Sequence, residues 1–169
     1  MISFTVYGSP IAQPRQRHTP LMKAGKPVIG WGGRPVVVNY TPKTAPANQW
    51  KTDIKNGALL ARKGAALWEG PVRMNLIFYL PRPKSLCRKK DPDGPVYHAG
   101  VKDIDNLYKA VADALEKIIY RDDGQIAEVL IAKFYHEKDR GPRAEISLWQ
   151  IGEEIENPDR DDTTQGAAL

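Results

Sequence analysis

Cysteine is almost absent from this chain, and its one thiol, Cys87, can form neither an intrachain disulfide nor a cysteine-based zinc centre. Histidine is nearly as scarce. His18, His98 and His136 share no common spacing, so ordinary loop or surface positions are expected for them. A structural zinc centre is therefore not expected, and a lone reduced thiol fits a reducing, cytoplasmic compartment. No apolar run approaches the roughly 18 residues of a membrane span, and residues 1–10 lack the charged and apolar regions of a signal peptide. The glycine-rich phosphate loop, the HExxH helix and the nucleophile elbow are missing as well. An EF-hand fails because Leu107, Tyr108 and Ala114 fall where a loop opening at Asp103 and Asp105 needs a ligand, a glycine and a glutamate.

What the chain does have is the length and composition of one ordinary folded domain: 169 residues, 41% hydrophobic and 27% charged. Its net charge of +5 conceals an asymmetry. Residues 1–100 carry 16 Lys/Arg against 4 Asp/Glu, residues 101–151 carry 8 against 10, and residues 152–169 carry 1 against 6. A basic body around an acidic middle attracts polyanions through counterion release, although basicity alone is equally compatible with plain solubility. The division expected is one folded domain over 1–151 and an acidic, disordered tail over 152–169.

Alternation of apolar and polar residues predicts strands at 2–6 and 72–80. Residues 125–135, rich in branched and aromatic side chains, and the alternating run 144–149 predict two more, joined as a hairpin by Asp139-Arg140-Gly141-Pro142. Helical spacing links Trp50, Ile54, Ala58 and Ala61, and again Leu107, Val111, Ala114, Leu115 and Ile118. Interspersed strands and helices imply a layered α/β or α+β domain. Residues 8–42, punctuated by glycine and proline, read as a long basic loop with a short hairpin, and residues 81–100 as a second basic loop.

The chemistry concentrates in Asp103-Ile-Asp105-Asn-Leu-Tyr-Lys109, the helix that follows, and Tyr120-Arg-Asp122-Asp123-Gly124-Gln125. If Asp103 and Asp105 lie in an extended stretch, they point to one side about 6–7 Å apart, a separation that suits two carboxylates sharing one ion. Asp105, Lys109, Asp113 and Glu116 then line the helix face opposite its apolar stripe. Asp123 lies beyond a helix roughly 20 Å long, so it approaches Asp103 only if the strand from Gln125 runs back beside the strand leading into Asp103. Magnesium takes oxygen ligands from carboxylates, water and phosphate, and three carboxylates on a basic surface suit metal-assisted phosphodiester hydrolysis. Plainer roles exist for each residue: Asp103 or Asp105 as a helix cap, Asp105 with Lys109 as an i,i+4 pair, and Asp122-Asp123-Gly124 as a simple turn.

Over Asp103-Ile-Asp105-Asn106-Leu107-Tyr-Lys109-Ala-Val-Ala-Asp113-Ala-Leu115 and Asp122-Asp123-Gly-Gln125-Ile126, the sequence resembles the RusA family of Holliday junction resolvases, small metal-dependent endonucleases common in prophages. The family pattern is D-x-D-N followed by lysine, an Asp-Ala-Leu helix and a D-D-x-Q-[IV] turn. Weaker likeness extends to Gly8-Ser-Pro10 with Arg15 and Arg17, to Tyr40-Thr-Pro42-Lys-Thr44, and to Lys133 with Tyr135. The sequence departs from it at Val101-Lys102, where a proline often precedes the first aspartate, and in a longer 81–100 loop. The resemblance implies an α+β domain with a mixed β-sheet and packed helices, a homodimer, and a bacterial or phage-infected cell. It also implies Asp103, Asp105 and Asp123 as essential metal-binding carboxylates, Lys109 as their catalytic assistant and Asp122 as a substitute or outer group.

The expected activity is a Mg²⁺-dependent endonuclease, with Mn²⁺ as a substitute, acting on branched DNA and above all on four-way junctions in recombination and repair. Arg15, Arg17, Lys84, Arg88, Lys89 and Lys90 are the candidate phosphate contacts. Trp31 and Tyr97 are candidates to stack on unpaired bases, against the commoner role of partial core residues. Two rivals stand beside this reading: a non-catalytic DNA-binding module with structural carboxylates, and a nuclease for flaps or single strands.

Overall fold

The computed structural model describes residues 1–14, 17–40 and 46–152. Its elements are β1 (Ile2–Tyr7), β2 (Arg17–Pro20), β3 (Met22–Lys23), β4 (Lys26–Pro27), β5 (Val37–Tyr40), α1 (Pro46–Arg62), β6 (Val72–Leu80), β7 (Val96–Tyr97), α2 (Ile104–Leu115), β8 (Ile126–Tyr135) and β9 (Arg143–Gln150). Two 3₁₀ turns, Lys84–Leu86 and Asp123–Gln125, complete them.

Alternation builds the main sheet. Val72, Met74, Leu76, Phe78 and Leu80 of β6 point to one side and are buried, as are Ala144, Ile146 and Leu148 of β9 and Ile2 and Val6 of β1. Against them pack Trp50, Ile54 and Ala58 of α1 and Leu107, Ala110, Val111, Ala114 and Leu115 of α2, in one continuous core. Full burial of each large aliphatic side chain contributes about 1.5–3 kcal/mol, so this cluster dominates the stability of the domain. Helix α1 approaches β1 so closely that a Cβ added at Gly57 would stand 2.8 Å from the Phe4 ring, which explains a glycine in the middle of a helix.

The five-stranded sheet has the order β1-β9-β6-β8-β7. Strand β6 is antiparallel to β9 and parallel to β8, so the sheet is mixed and the domain is α+β, as expected. The hairpin expected between β8 and β9 does not form, because β6 lies between them. The reason is burial: β6 carries the longest fully apolar face, and a central place gives it a hydrogen-bonded neighbour on both sides along nearly its whole length. Residues 136–142 instead step across its end, with the His136 amide donating to Leu80 O at 3.0 Å and the Gly8 amide to Pro142 O at 3.0 Å. Parallel pairing of β6 and β8 needs a crossover, which the 81–103 segment and α2 supply.

The expected loop over 8–42 is more ordered than its composition suggests. Strand β2 pairs with β5 and β3 with β4, both antiparallel, forming an arm of two small sheets. The acidic tail expected from Gly152 onward lies outside the described residues beyond that glycine. Among the described residues, no helix is long and apolar enough to cross a membrane.

Candidate active site

Asp103 stands at the N-cap of α2 with extended backbone (φ −68°, ψ 134°), yet its carboxylate makes no capping hydrogen bond, and Asp105 lies in the first turn. The helix therefore begins between them at Ile104, which corrects the expectation of an extended Asp-x-Asp stretch; their offset is helical and not the alternation of a strand. Both side chains are exposed, and neither has a hydrogen-bond or ion-pair partner among the described residues. The positive end of the α2 dipole favours carboxylates at this position.

Lysine side chains from distant segments hold the approach to α2. Lys133 of β8 donates to Lys102 O at 2.6 Å and Gly100 O at 3.3 Å. Lys102 donates to Pro10 O at 2.7 Å, and burial pushes its pKa down. The Gln13 amide donates to Asn106 O at 2.8 Å. Residues 10–13 are thus fastened to the first turn of α2. Strand β7 does run antiparallel to β8, as the argument for clustering requires, but its register joins Tyr97 to Phe134, near the end of β8. Asp123 precedes the beginning of β8, so this pairing does not by itself carry Asp123 to Asp103.

The turn before β8 separates two adjacent aspartates by function. Asp122 Oδ1 accepts the Gly124 amide at 2.8 Å, while Gln125 Oε1 accepts the amides of Arg121 at 2.8 Å and Asp122 at 3.1 Å, a reciprocal capping box. Gln125 Nε2 completes the lock by donating to Trp68 O and Gly70 O, both at 2.9 Å. Asp122 therefore fulfils the plain turn role. The Asp123 carboxylate is exposed and without a hydrogen-bond or ion-pair partner among the described residues. Its charge reaches α2: the Tyr108 pKa is raised first by burial and then by Asp123, against the lowering effect of Lys109.

On the polar face of α2 the expected Asp105–Lys109 pair is not made. Lys109 lies 3.5 Å from Asp113 Oδ1, one turn further on, while Asp113 Oδ2 accepts from Lys51 Nζ at 2.9 Å and Gln13 Nε2 at 3.2 Å. Asp113 is consequently a structural anion joining α1, the 10–13 segment and α2, and Asp105 keeps its charge free. Sequence reasoning overlooked the parts played by Gln13, Lys51 and Lys102. No local pattern marks them, since each acts on a residue far away in the chain.

Among the described residues, no three His, Cys, Asp or Glu side chains stand close enough to hold a metal ion between them. The donor chemistry nevertheless suits a hard cation: Asp103, Asp105 and Asp123 are uncommitted carboxylates, and magnesium commonly takes only one or two protein carboxylates beside water and substrate phosphate.

Of the candidate phosphate contacts, Lys84, Lys89 and Lys90 are exposed on the 81–100 segment, and Arg88 is paired to Asp91 at 3.2 Å while still more than half exposed. This segment is no floppy loop. Arg82, buried, donates to the carbonyls of Leu86, Pro92 and Gly94 at 2.9, 2.7 and 3.0 Å, and to His136 O at 3.4 Å. Lys138 adds bonds to Arg88 O at 2.9 Å and Asp91 O at 2.7 Å. Arg15 lies outside the described residues, and only the backbone of Arg17 is described, in β2.

Among known proteins, the chain is similar to the uncharacterized protein YqaN of Bacillus subtilis (strain 168), 31% identical over 157 residues, covering 89% of this chain and 96% of that protein. The RusA family, described as endodeoxyribonuclease RusA, matches residues 8–148, a span that runs from the segment fastened to α2 through both acidic motifs to the central sheet. With its mixed sheet, its basic surface and its uncommitted aspartates at α2 and the β8 turn, this chain belongs to the RusA endodeoxyribonuclease family.

Proposed function

We propose that the protein is a Mg²⁺-dependent endonuclease that resolves four-way DNA junctions by paired, symmetric nicks, with Asp103, Asp105 and Asp123 as the metal-binding carboxylates. One observation carries the assignment of residues: in a family of endodeoxyribonucleases, these three lack any hydrogen-bond or ion-pair partner among the described residues, while Asp113 is held by Lys51 and Asp122 accepts the Gly124 amide. An exposed carboxylate gains nothing for stability by standing unpaired, and it is available to a cation that a phosphate also binds.

When bound, Mg²⁺, or Mn²⁺ in its place, supplies charge neutralisation at the scissile phosphate and an activated water. The chain's own residues do the rest. Lys84, Arg88, Lys89 and Lys90, on a segment held rigid by Arg82 and Lys138, grip the phosphate backbone. Lys109, one turn beyond Asp105, stabilises the negative charge that builds on the phosphate in the transition state. Asp122 acts through the turn, keeping Asp123 in place. A homodimer provides two copies of the site, because symmetric resolution needs two nicks related by a two-fold axis.

The decisive test is a labelled synthetic four-way junction incubated with purified protein, with and without Mg²⁺, beside flap and duplex DNA. Symmetric nicks on the junction that vanish in EDTA support the reading. Metal-dependent cleavage confined to flaps, or binding with no cleavage at all, would replace it with one of its rivals.

A further inference from the structure

Trp31 is the most exposed large hydrophobic side chain among the described residues, at 107% of its reference area, in a molecule whose other three tryptophans are buried or half-buried. Its setting is built to hold it out. The turn Gly30-Trp31-Gly32-Gly33-Arg34 closes through Gly30 N to Arg34 O at 2.8 Å and Gly33 N to Gly30 O at 3.2 Å. Gly32 and Gly33 take φ values of 95° and 73°, which other residues rarely adopt, and have open space around them.

Behind the turn the arm is knitted rather than loose. Leu21 N donates to Val36 O, Val28 N to Leu21 O and Val36 N to Val28 O, at 2.7, 2.7 and 2.8 Å, a closed ring of hydrogen bonds among three chain segments. Ile29 bridges Pro35 just below the tip. The ring on Trp31 is thus carried on a stiffened support, which lowers the ordering cost when it meets a ligand.

Electrostatics restrict what that ligand is. The chain has no Asp or Glu before Asp53, while Lys23, Lys26 and Arg34 lie on the arm itself. A flat, fully exposed indole in a field of one sign fits a partner that is anionic and presents flat apolar faces. The arm is also rooted at the candidate active site, since it follows directly from residues 10–13, which hydrogen-bond to Asn106 and Lys102.

We propose that Trp31 is a base-stacking residue: the arm tip inserts its indole against an unpaired or partly unstacked nucleobase of branched DNA, while the arm cations hold the flanking phosphates. This rests on the endonuclease reading above and extends it to how an open branch is told from a closed duplex. Every base has a face to stack on, so the contact selects opened structure without selecting sequence.

The test compares wild type with Trp31→Ala and Trp31→Phe, in EDTA, on a four-way junction and on duplex of equal length. Trp31→Ala is expected to weaken junction binding roughly tenfold or more, to change duplex binding less than twofold, and to leave the salt dependence of binding unaltered, because stacking releases no counterions. Trp31→Phe should restore most of the loss. Junction binding should quench tryptophan emission in the wild type and not in Trp31→Phe. Equal junction affinity for Trp31→Ala and wild type overturns the proposal while leaving the endonuclease reading intact. Conversion of the Trp31→Ala protein from dimer to monomer by light scattering would instead give the tip to a second copy of the chain. A wild type that neither binds nor cuts DNA overturns both readings.

Discussion

Neighbouring aspartates in this protein differ in what they are bonded to, and that difference sets what each substitution does. Asp103→Asn, Asp105→Asn and Asp123→Asn are each expected to reduce junction cleavage by about a hundredfold or more, a loss typical of removing a group that acts on transition-state charge. Binding should hold or tighten, since a repulsive charge near DNA phosphate is gone. Asp122→Asn should keep most of the activity, because an asparagine oxygen can still accept the Gly124 amide. Gel-based nicking and binding assays on the same proteins check both. A different residue-scale pair governs acid stability. Arg143, its side chain 5% exposed, donates to Glu137 at 2.8 and 2.9 Å and to Glu145 at 2.8 Å, and lies over the Tyr79 ring. The Arg143 bond holds the Glu137 carboxyl down from 4.5 to about 2. A depressed carboxylate stabilises the fold above its unfolded pKa, so this contribution, up to ~3 kcal/mol, should be lost as pH falls from about 4.5 through 2. Thermal melts across that range should fall less steeply for Glu137→Gln than for wild type, from a lower starting stability.

At the scale of elements, positively charged side chains order segments that composition alone marks as loops. Arg82 satisfies four carbonyls of the 81–100 segment and the 136–142 connection, and Lys133 and Lys102 do the same for the approach to α2. Buried carbonyls left without a donor cost about 1–3 kcal/mol each where water cannot replace it. Arg82→Met is therefore expected to speed proteolysis between Lys84 and Gly94, and to weaken DNA binding several-fold as Lys84, Arg88, Lys89 and Lys90 lose their fixed spacing. Far-ultraviolet circular dichroism should stay close to wild type, since the sheet and both helices keep their own core. Limited proteolysis with mass spectrometry locates the cuts, and no change in the cleavage pattern would show that the segment is held by other contacts.

Across the whole molecule, both helices cover one face of the sheet, and the other carries Ile77, Tyr79, Leu130, Phe134 and Trp149 interleaved with Arg73, Asn75, Glu128, Arg143, Glu145 and Ser147, with Leu130 66% exposed. Tyr97, Phe134 and Tyr79 stack in a row across it, with ring centroids 4.7 and 5.9 Å apart. The proposed homodimer is expected to centre on that aromatic row, since interface cores are more apolar than their rims. Light scattering at working concentration should give twice the chain mass, and nicks mapped on a four-way junction should fall at symmetry-related positions. A monomer, or cuts confined to one strand, would sink the resolvase reading in favour of a flap nuclease. Junction affinity should also fall steeply with salt, by the counterion release expected for several phosphate contacts.

Much of this protein follows from local pattern. Alternation in β6 and β9, the apolar stripes of α1 and α2, and the clustering of acidic residues around α2 are all legible in the chain because each depends on a repeat of two or of about 3.6 residues. Strand order is not of that kind. Whether β9 pairs with β8 or with β6 turns on which arrangement buries the most apolar surface, a comparison among segments far apart in sequence, and β6 wins the central place. The same holds at the candidate site. That Asp113 is held by Lys51 and Gln13 while Asp105 is not depends on donors arriving from distant segments, whereas Asp122 takes its donor, the Gly124 amide, from within its own turn. Trp31 obeys the same rule: a tryptophan among glycines is visible in sequence, but only the folded arm determines that no other part of the described chain covers it.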